Sequence, residues 1–487
     1  MRTRRLTVQL TSAAFAAVLA GGGVAVSARQ SAPAVSLGTS ASLEGFLTAT
    51  LVFGAADADK DGLVSREELT ALSGRWFAAA DAAKANAVTP EQLTAALDAA
   101  MPRSGLAAAF NMGGRGAQPQ TPHPATVAPM MAALPERAPA RPQRPRKVLV
   151  LARAAGFVHS SIPLAAKTIE ALGARTGAWS TAISYDAADI TPDNLKQYDA
   201  VFLASTTGAF LDDPADAAIT ATRRQALLDF VRGGKGLAGI HAASDSYHRD
   251  SAPPPAGAGF AGVLGSFSAG SVLAPVMLRQ GDRNGDLKLD RPEVEAVAGG
   301  WFRTLDKRNS GRLSQADFAL FALMIPPPPA PAAVPQGPDT QVGTWPEFNR
   351  MIGGFFKYHW LDPQQVTVKI DDPASPLTAM FKAGAFDVHD EIYTMAAGSW
   401  SRDNVRVLTS IDYQKMSPAD RALEEHPRPD RDYGLSWIRR EGQGRVFYQA
   451  LGHSERIYAI RPLLEHLLAG MQYALGDLQA DDTPVKR

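Results

Sequence analysis

Twelve consecutive residues, Asp57 to Glu68, restrict what this chain can fold into more than any other stretch of its sequence. Carboxylates fall at the first, third and fifth places (Asp57, Asp59, Asp61), a glycine at the sixth (Gly62), a hydroxyl at the ninth (Ser65) and a glutamate at the twelfth (Glu68). A hard divalent cation wants oxygen ligands. This spacing wraps them round one point, adding the Leu63 carbonyl at the seventh place, Ser65 through a water and both oxygens of Glu68. Gly62 supplies the positive φ of the sharp turn, and Val64 a short strand for pairing with another loop. The segment is therefore expected to be a helix, a calcium loop and a second helix.

The pattern recurs. Asp57 and Asp282 each stand nineteen residues before a Trp-Phe pair (Trp76-Phe77, Trp301-Phe302) and twenty-four before another aspartate (Asp81, Asp306). Constant spacing of this kind is one structural unit used twice, here an EF-hand pair over 41–101 and a second over 260–324. In the second copy Asp282, Asn284, Asp286, Asp290 and Glu293 take the first, third, fifth, ninth and twelfth places, with the Lys288 carbonyl at the seventh. The ligand set is complete, but Leu287 occupies the glycine position, where positive φ costs a branched residue about 1 kcal/mol or more. The loop at Asp81 has Ala83 and Ala85 in ligand places and is expected only to pair with and brace the Asp57 loop. In the loop from Asp306 to Asp317, Arg308 puts a cation at the third place, which disfavours a metal.

Two Pro/Ala-rich stretches, 102–145 and 325–340, read as linkers. They separate the helical copies from α/β segments at 146–250 and 341–478, so the second copy interrupts a single α/β domain. At the N-terminus, Arg2, Arg4 and Arg5 precede an apolar run ending in Val26-Ser27-Ala28, the pattern of a signal peptide over 1–28. Export to the periplasm or medium is expected, with no membrane span after cleavage. Lys+Arg and Asp+Glu both number 49, so no global charge directs the chain to nucleic acid. There is no cysteine, which excludes disulfides and thiolate chemistry.

Lys147 to Ala152 is a short apolar run leading through a loop to a helical pattern from Ile162 to Gly173. Ala200 to Ser205 is a second such strand. A helix from about Thr222 stops at Gly233-Gly234, and Gly236 to Ile240 runs straight into His241. The alternation predicts an α/β fold with a flavodoxin-like, doubly wound parallel sheet, whose sites lie at the carboxyl ends of the strands. His159, His241 and Asp245 all follow such ends.

Ala155-Gly-Phe-Val-His159, Gly239-Ile-His241-Ala-Ala-Ser-Asp245, Gly354-Phe-Phe-Lys-Tyr-His359, Asp390-Glu391-Ile-Tyr393, and Gly444-Arg-Val-Phe-Tyr448 with Leu451-Gly-His453 resemble the motifs of the ThuA-like (trehalose utilisation) family. The resemblance implies a class I glutamine-amidotransferase-like fold and a link to sugar metabolism. Where amidotransferases of related fold carry a cysteine this chain places His241, and imidazole cannot form the same thioester, so glutamine hydrolysis is excluded. The candidate catalytic set is His159, His241, Asp245, His359, Asp390, Glu391 and His453, fit either for acid/base work or for a divalent metal such as zinc. His248, His389 and His426 lack motif support, and His466, Trp437 and Tyr448 are expected to be core. The function expected is that of an exported calcium-binding protein acting on a carbohydrate or sugar derivative, as a hydrolase or lyase. The alternative is a non-enzymatic, calcium-dependent module binding a glycan or protein.

Overall fold

The computed structural model describes residues 37–38, 41–102, 118–248, 267–326, 343–396, 398–416, 421 and 428–485. The expected signal segment at 1–28, most of the 325–340 linker and His426 lie outside them. In chain order the strands are β1 (Leu63–Ser65), β2 (Ala87–Val88), β3 (Lys147–Leu151), β4 (Ser180–Ser184), β5 (Ala200–Ala204), β6 (Gly236–Ile240), β7 (Leu289–Asp290), β8 (Arg312–Ser314), β9 (Phe356–Ile370), β10 (Phe386–Met395), β11 (Arg406–Ile411), β12 (Gly434–Glu441) and β13 (Gly444–Gln449).

Five of these run parallel in the order β4-β3-β5-β6-β13. Ranked by sequence that is 2-1-3-4-5, the flavodoxin-like order. The strands read as unbroken apolar runs because both faces are covered. Ala474 of helix Arg461–Leu475 meets β6 at Gly236, whereas Ile352 of helix Pro346–Ile352 meets it at Gly239. Positions three apart on a strand face opposite sides, so the two helices clasp β6 between them.

The sheet differs from the expected wholly parallel one. Beyond β13 it continues antiparallel through β12, β11, β9 and β10, giving nine strands. Antiparallel neighbours need no crossover helix to join them.

The two helical segments depart further from expectation. Instead of each forming its own pair, they pair with each other. β1 of the Asp57 loop runs antiparallel to β8 of the Asp306 loop, and β2 of the Asp81 loop to β7 of the Asp282 loop. One core contains Leu47, Trp76, Phe77 and Leu97 from the first segment with Leu273, Met277, Trp301 and Phe302 from the second. The exchange is reciprocal: Arg66 lies over the Phe302 ring at 4.9 Å and Arg291 over Phe77 at 5.2 Å. The Asp81 loop therefore braces the Asp282 loop, not the Asp57 loop. A local repeat specifies the unit, but the apolar faces choose the partner, and here both segments contribute to one core.

The stretch 102–145 is also more than a linker. His123 caps a helix, Pro124–Ala133, whose Met130 and Ala133, with the following Leu134, enter the α/β core. Proline at the first helical position costs nothing, and three buried apolar residues hold a segment whose composition alone favours extension.

Candidate functional site

His241 is the first residue after β6 and stands at φ +47, in the left-handed region. That strain is held from behind. The Tyr448 hydroxyl donates to the His241 carbonyl at 2.6 Å and lies 2.7 Å from Ser244 Oγ, while Trp437 stacks on the Tyr448 ring at 4.4 Å. Trp437 and Tyr448 are thus core, as expected, and Tyr448 also braces the turn. Since a carbonyl can only accept, His241 Nδ1 donates to Ala450 O at 2.9 Å, which turns Nε2 into the site.

Three more groups converge on that nitrogen. Glu391 Oε2 lies 3.3 Å from His241 Nε2, His453 Nδ1 lies 3.2 Å from the same Oε2, and the two imidazole nitrogens are 3.3 Å apart. His159, from the loop after β3, completes the group, with ligand atoms of all four residues within 4.8 Å of one another. The His159, His241 and His453 rings stand nearly perpendicular in pairs, at 89°, 87° and 80°, with centroids 4.8 to 5.2 Å apart.

Glu391 reaches this point from the edge of the sheet. Between β10 and β6 lie β9, β11, β12 and β13. In a flat sheet that separation would be about 24 Å. The antiparallel half must therefore curl back over the carboxyl ends of the parallel strands, and the β10–β9 pairing is irregular at Asp390/Ile392, where the register slips.

Burial and charge set the protonation states. Burial works against ionisation of Glu391, but His359 and His453 beside it, with hydrogen bonds from His241 and His453, hold its carboxyl well below the usual range. Burial, and then the nearby His241 and His453, push the His159 imidazole well below its ordinary value; its Nδ1 is buried with no hydrogen-bond partner. Burial and the Glu391 charge drive Asp245 well above the carboxylate range. His359 pairs across the sheet with Tyr393 and sits at the outer edge, its Nδ1 3.0 Å from Glu391 Oε1 and its side chain 37% exposed.

Asp390 does something else. Its carboxylate accepts from the backbone N–H groups of Gly452 (2.6 Å), His453 (3.3 Å) and Ser454 (2.9 Å), so it holds the loop that carries His453. Neighbours on a strand face opposite ways, which is why Asp390 and Glu391 do not share the site. In that loop Gly452 is at φ +142, and a Cβ there would lie 2.9 Å from Ile240. Of the other histidines, His466 is fully buried, bonded to Leu377 O and Ser436 Oγ, a core residue as expected. Sequence reasoning missed Phe157, although it lies inside a quoted motif: its ring is 52% exposed and packs edge-on to His159 at 4.8 Å. It also missed the Tyr393 ring, 4.3 Å from His241.

In the Asp57 loop the structure gathers Asp57, Asp59 and Glu68. Gly62 is at φ +79 and its N–H donates to Asp57 Oδ2, whereas Asp57 Oδ1 is buried with no partner, an acceptor aimed into the loop. Glu68 closes a capping box with Ser65 and accepts from Ala58 N at 3.0 Å. Asp61 is turned toward Arg312 of β8, with which it forms an ion pair. The Asp282 loop has the same shape, with Leu287 at φ +62 as the glycine position requires, but both oxygens of Asp282 accept backbone N–H groups, from Gly285 and Leu287. In the Asp306 loop Arg308 donates twice to Asp317, at 2.8 and 2.6 Å. Third and twelfth places are joined there by the protein's own cation.

The ThuA family, described as trehalose utilisation, matches residues 147–268 and 332–474, more than half of the chain, and an EF hand matches residues 49–73. No curated protein matches. Solved structures similar to this chain include a ThuA-like protein from Bacteroides uniformis, with 16% identity over 71% of this chain and 97% of that one and a TM-score of 0.40. Another, from Parabacteroides merdae, has 13% identity over 69% of this chain and 93% of that one and a TM-score of 0.34. No helix among the described residues is long and apolar enough to cross a membrane.

Proposed function

The chain belongs to the ThuA family, and we propose that it acts on a carbohydrate or sugar derivative at a divalent metal, zinc first among the candidates, held by His159, His241, Glu391 and His453. One observation carries this reading. The edges His241–Glu391, His453–Glu391 and His241–His453 measure 3.3, 3.2 and 3.3 Å. Four ligands set tetrahedrally about 2.0 Å from a zinc ion are about 3.3 Å apart. The donor set suits the same ion: three imidazoles, one carboxylate held ionised, and a buried His159 Nδ1 with no hydrogen-bond partner.

Such a metal supplies a Lewis acid for a sugar oxygen, or lowers the pKa of a bound water. The chain's own groups supply the rest. His359, at the exposed edge and 3.0 Å from Glu391 Oε1, is placed to pass protons between the site and solvent. Asp245, whose affinity for a proton is raised by burial and by the Glu391 charge, is the acid closest in the chain to His241. Phe157 offers the apolar surface on which the face of a pyranose ring can lie.

The EF-hand loop from Asp57 to Glu68 takes calcium in this proposal, with Asp57, Asp59, Asp61, the Leu63 carbonyl, Ser65 and Glu68 as its ligands. Export through the 1–28 segment would keep it in calcium-rich surroundings, and sequencing of the mature N-terminus tests this by finding a start near Arg29. The function itself is tested by elemental analysis of the purified protein combined with a sugar-panel screen. We expect one zinc-class metal and turnover, both lost in Glu391→Ala and His241→Ala. Undiminished turnover in either variant would sink the reading.

A further inference from the structure

A guanidinium connects the calcium body to the metal centre. Arg456 lies in the short turn Glu455–Ala459, which begins two residues after His453. One of its terminal nitrogens donates to His389 O at 3.2 Å, on β10 two residues before Glu391. The other donates to Ala316 O at 2.6 Å, in helix Gln315–Ala319. That helix belongs to the calcium body and leaves the Asp306 loop directly after β8. One side chain therefore touches the strand that presents Glu391, the segment that presents His453, and the calcium body.

On the far side of β8 the path continues to the calcium loop. Arg312, in β8, is paired with Asp61, the ligand at the fifth place. A calcium ion ligated by Asp61 competes with Arg312 for that carboxylate, so occupancy alters the charge balance on β8. The Asp306 loop joins β8 to the helix that carries Ala316, since Arg308 donates to Asp317 and Ser314 caps the helix through the same Asp317. A second tether keeps the calcium loop itself against the α/β domain: His123 Nε2 donates to Asp61 O at 3.0 Å, and His123 caps the helix that enters that domain's core.

From this path we propose that Arg456 is a positioning residue for the His/Glu centre, and that through it calcium at Asp57–Glu68 tightens the centre's hold on its metal. The proposal rests on the metal-centre reading above. Coupling between two binding sites is reciprocal, so metal at the centre tightens calcium by the same factor.

The test uses the full chain in buffer stripped of metals on a chelating resin, titrated with cobalt(II) as the probe. Visible absorbance of the histidine-bound ion reports affinity and geometry, with and without millimolar calcium. For the wild type, calcium is expected to tighten cobalt binding about five- to tenfold and to change the spectrum. Arg456→Gln should bind cobalt with no response to calcium, Arg456→Lys should recover part of the response, and Arg312→Gln and Glu68→Gln should lose it with the centre's own residues intact. A wild-type cobalt affinity indifferent to calcium, or a full calcium response in either Arg456→Gln or Arg312→Gln, overturns the coupling while leaving the metal centre standing. Failure of every protein to bind cobalt overturns the metal centre and this proposal with it.

Discussion

Two buried or strained side chains set expectations at the scale of single residues. His466 is neutral in the fold, its Nδ1–H given to Leu377 O at 2.6 Å and its Nε2 accepting from Ser436 Oγ at 2.9 Å, and burial lowers its pKa from 6.5 to about 4. Below pH 6.5 the unfolded chain takes up a proton that the folded chain refuses, so stability falls as pH drops from about 6.5 to about 4, by about 3 kcal/mol in all. Denaturant unfolding across that window should show the slope, and His466→Gln should flatten it; an equal slope in the variant would remove His466 as the cause. Leu287 is the other case. At φ +62 and 68% exposed, it bears backbone strain without core packing in return. Leu287→Gly should raise stability by about 1 kcal/mol in a chemical melt, whereas a large buried residue so replaced would destabilise.

At the scale of elements, three of the four calcium-type loops differ in what closes them. The Asp57 loop leaves Asp57 Oδ1 unpartnered for an ion, the Asp81 loop is closed by Asp81 accepting from Ala85 and Asn86 N–H, and the Asp306 loop carries Arg308 between its third and twelfth places. Each loop with a full ligand set pairs through its strand with one that lacks it. Arg308→Asp both removes the internal cation and restores an oxygen at the third place. Calorimetric titration of that variant should show one more calcium per chain than the wild type, and an unchanged stoichiometry would mean that the Asp306 loop is excluded from ion binding by more than Arg308. The antiparallel strands β9 and β10 are the other elements whose form matters. Their length and slipped register carry Glu391 back over the parallel strand ends, where a flat sheet would leave it far from His241.

Over the whole molecule, the calcium body is one core assembled from segments that the α/β domain separates in sequence. Calcium binding then stabilises the joining of both segments, by about 2.7 kcal/mol when free calcium stands about a hundredfold above its Kd. Stripping calcium should lower the melting temperature followed by fluorescence of the buried Trp76 and Trp301, and re-addition should restore it; a calcium-independent melt would refute a structural role for the ion. The twelve-residue loop, its repeat, three of the parallel strands and four histidines with their glutamate were all legible in the sequence. Each is set by local spacing: ligand places in a turn, apolar runs of strand length, residues at strand ends. Alternation along a strand puts only one of Asp390 and Glu391 in the site, but which one, and that Asp390 holds the loop at Gly452 to Ser454, depends on the distant segment packed against β10. The exchange of loop partners, the packed helix Pro124–Ala133, the curl that brings Glu391 to His241 and the reach of Arg456 to Ala316 were decided only in the tertiary structure. Local chemistry says what each segment can be, but which apolar faces meet is a competition among distant surfaces, and that competition is settled by total burial.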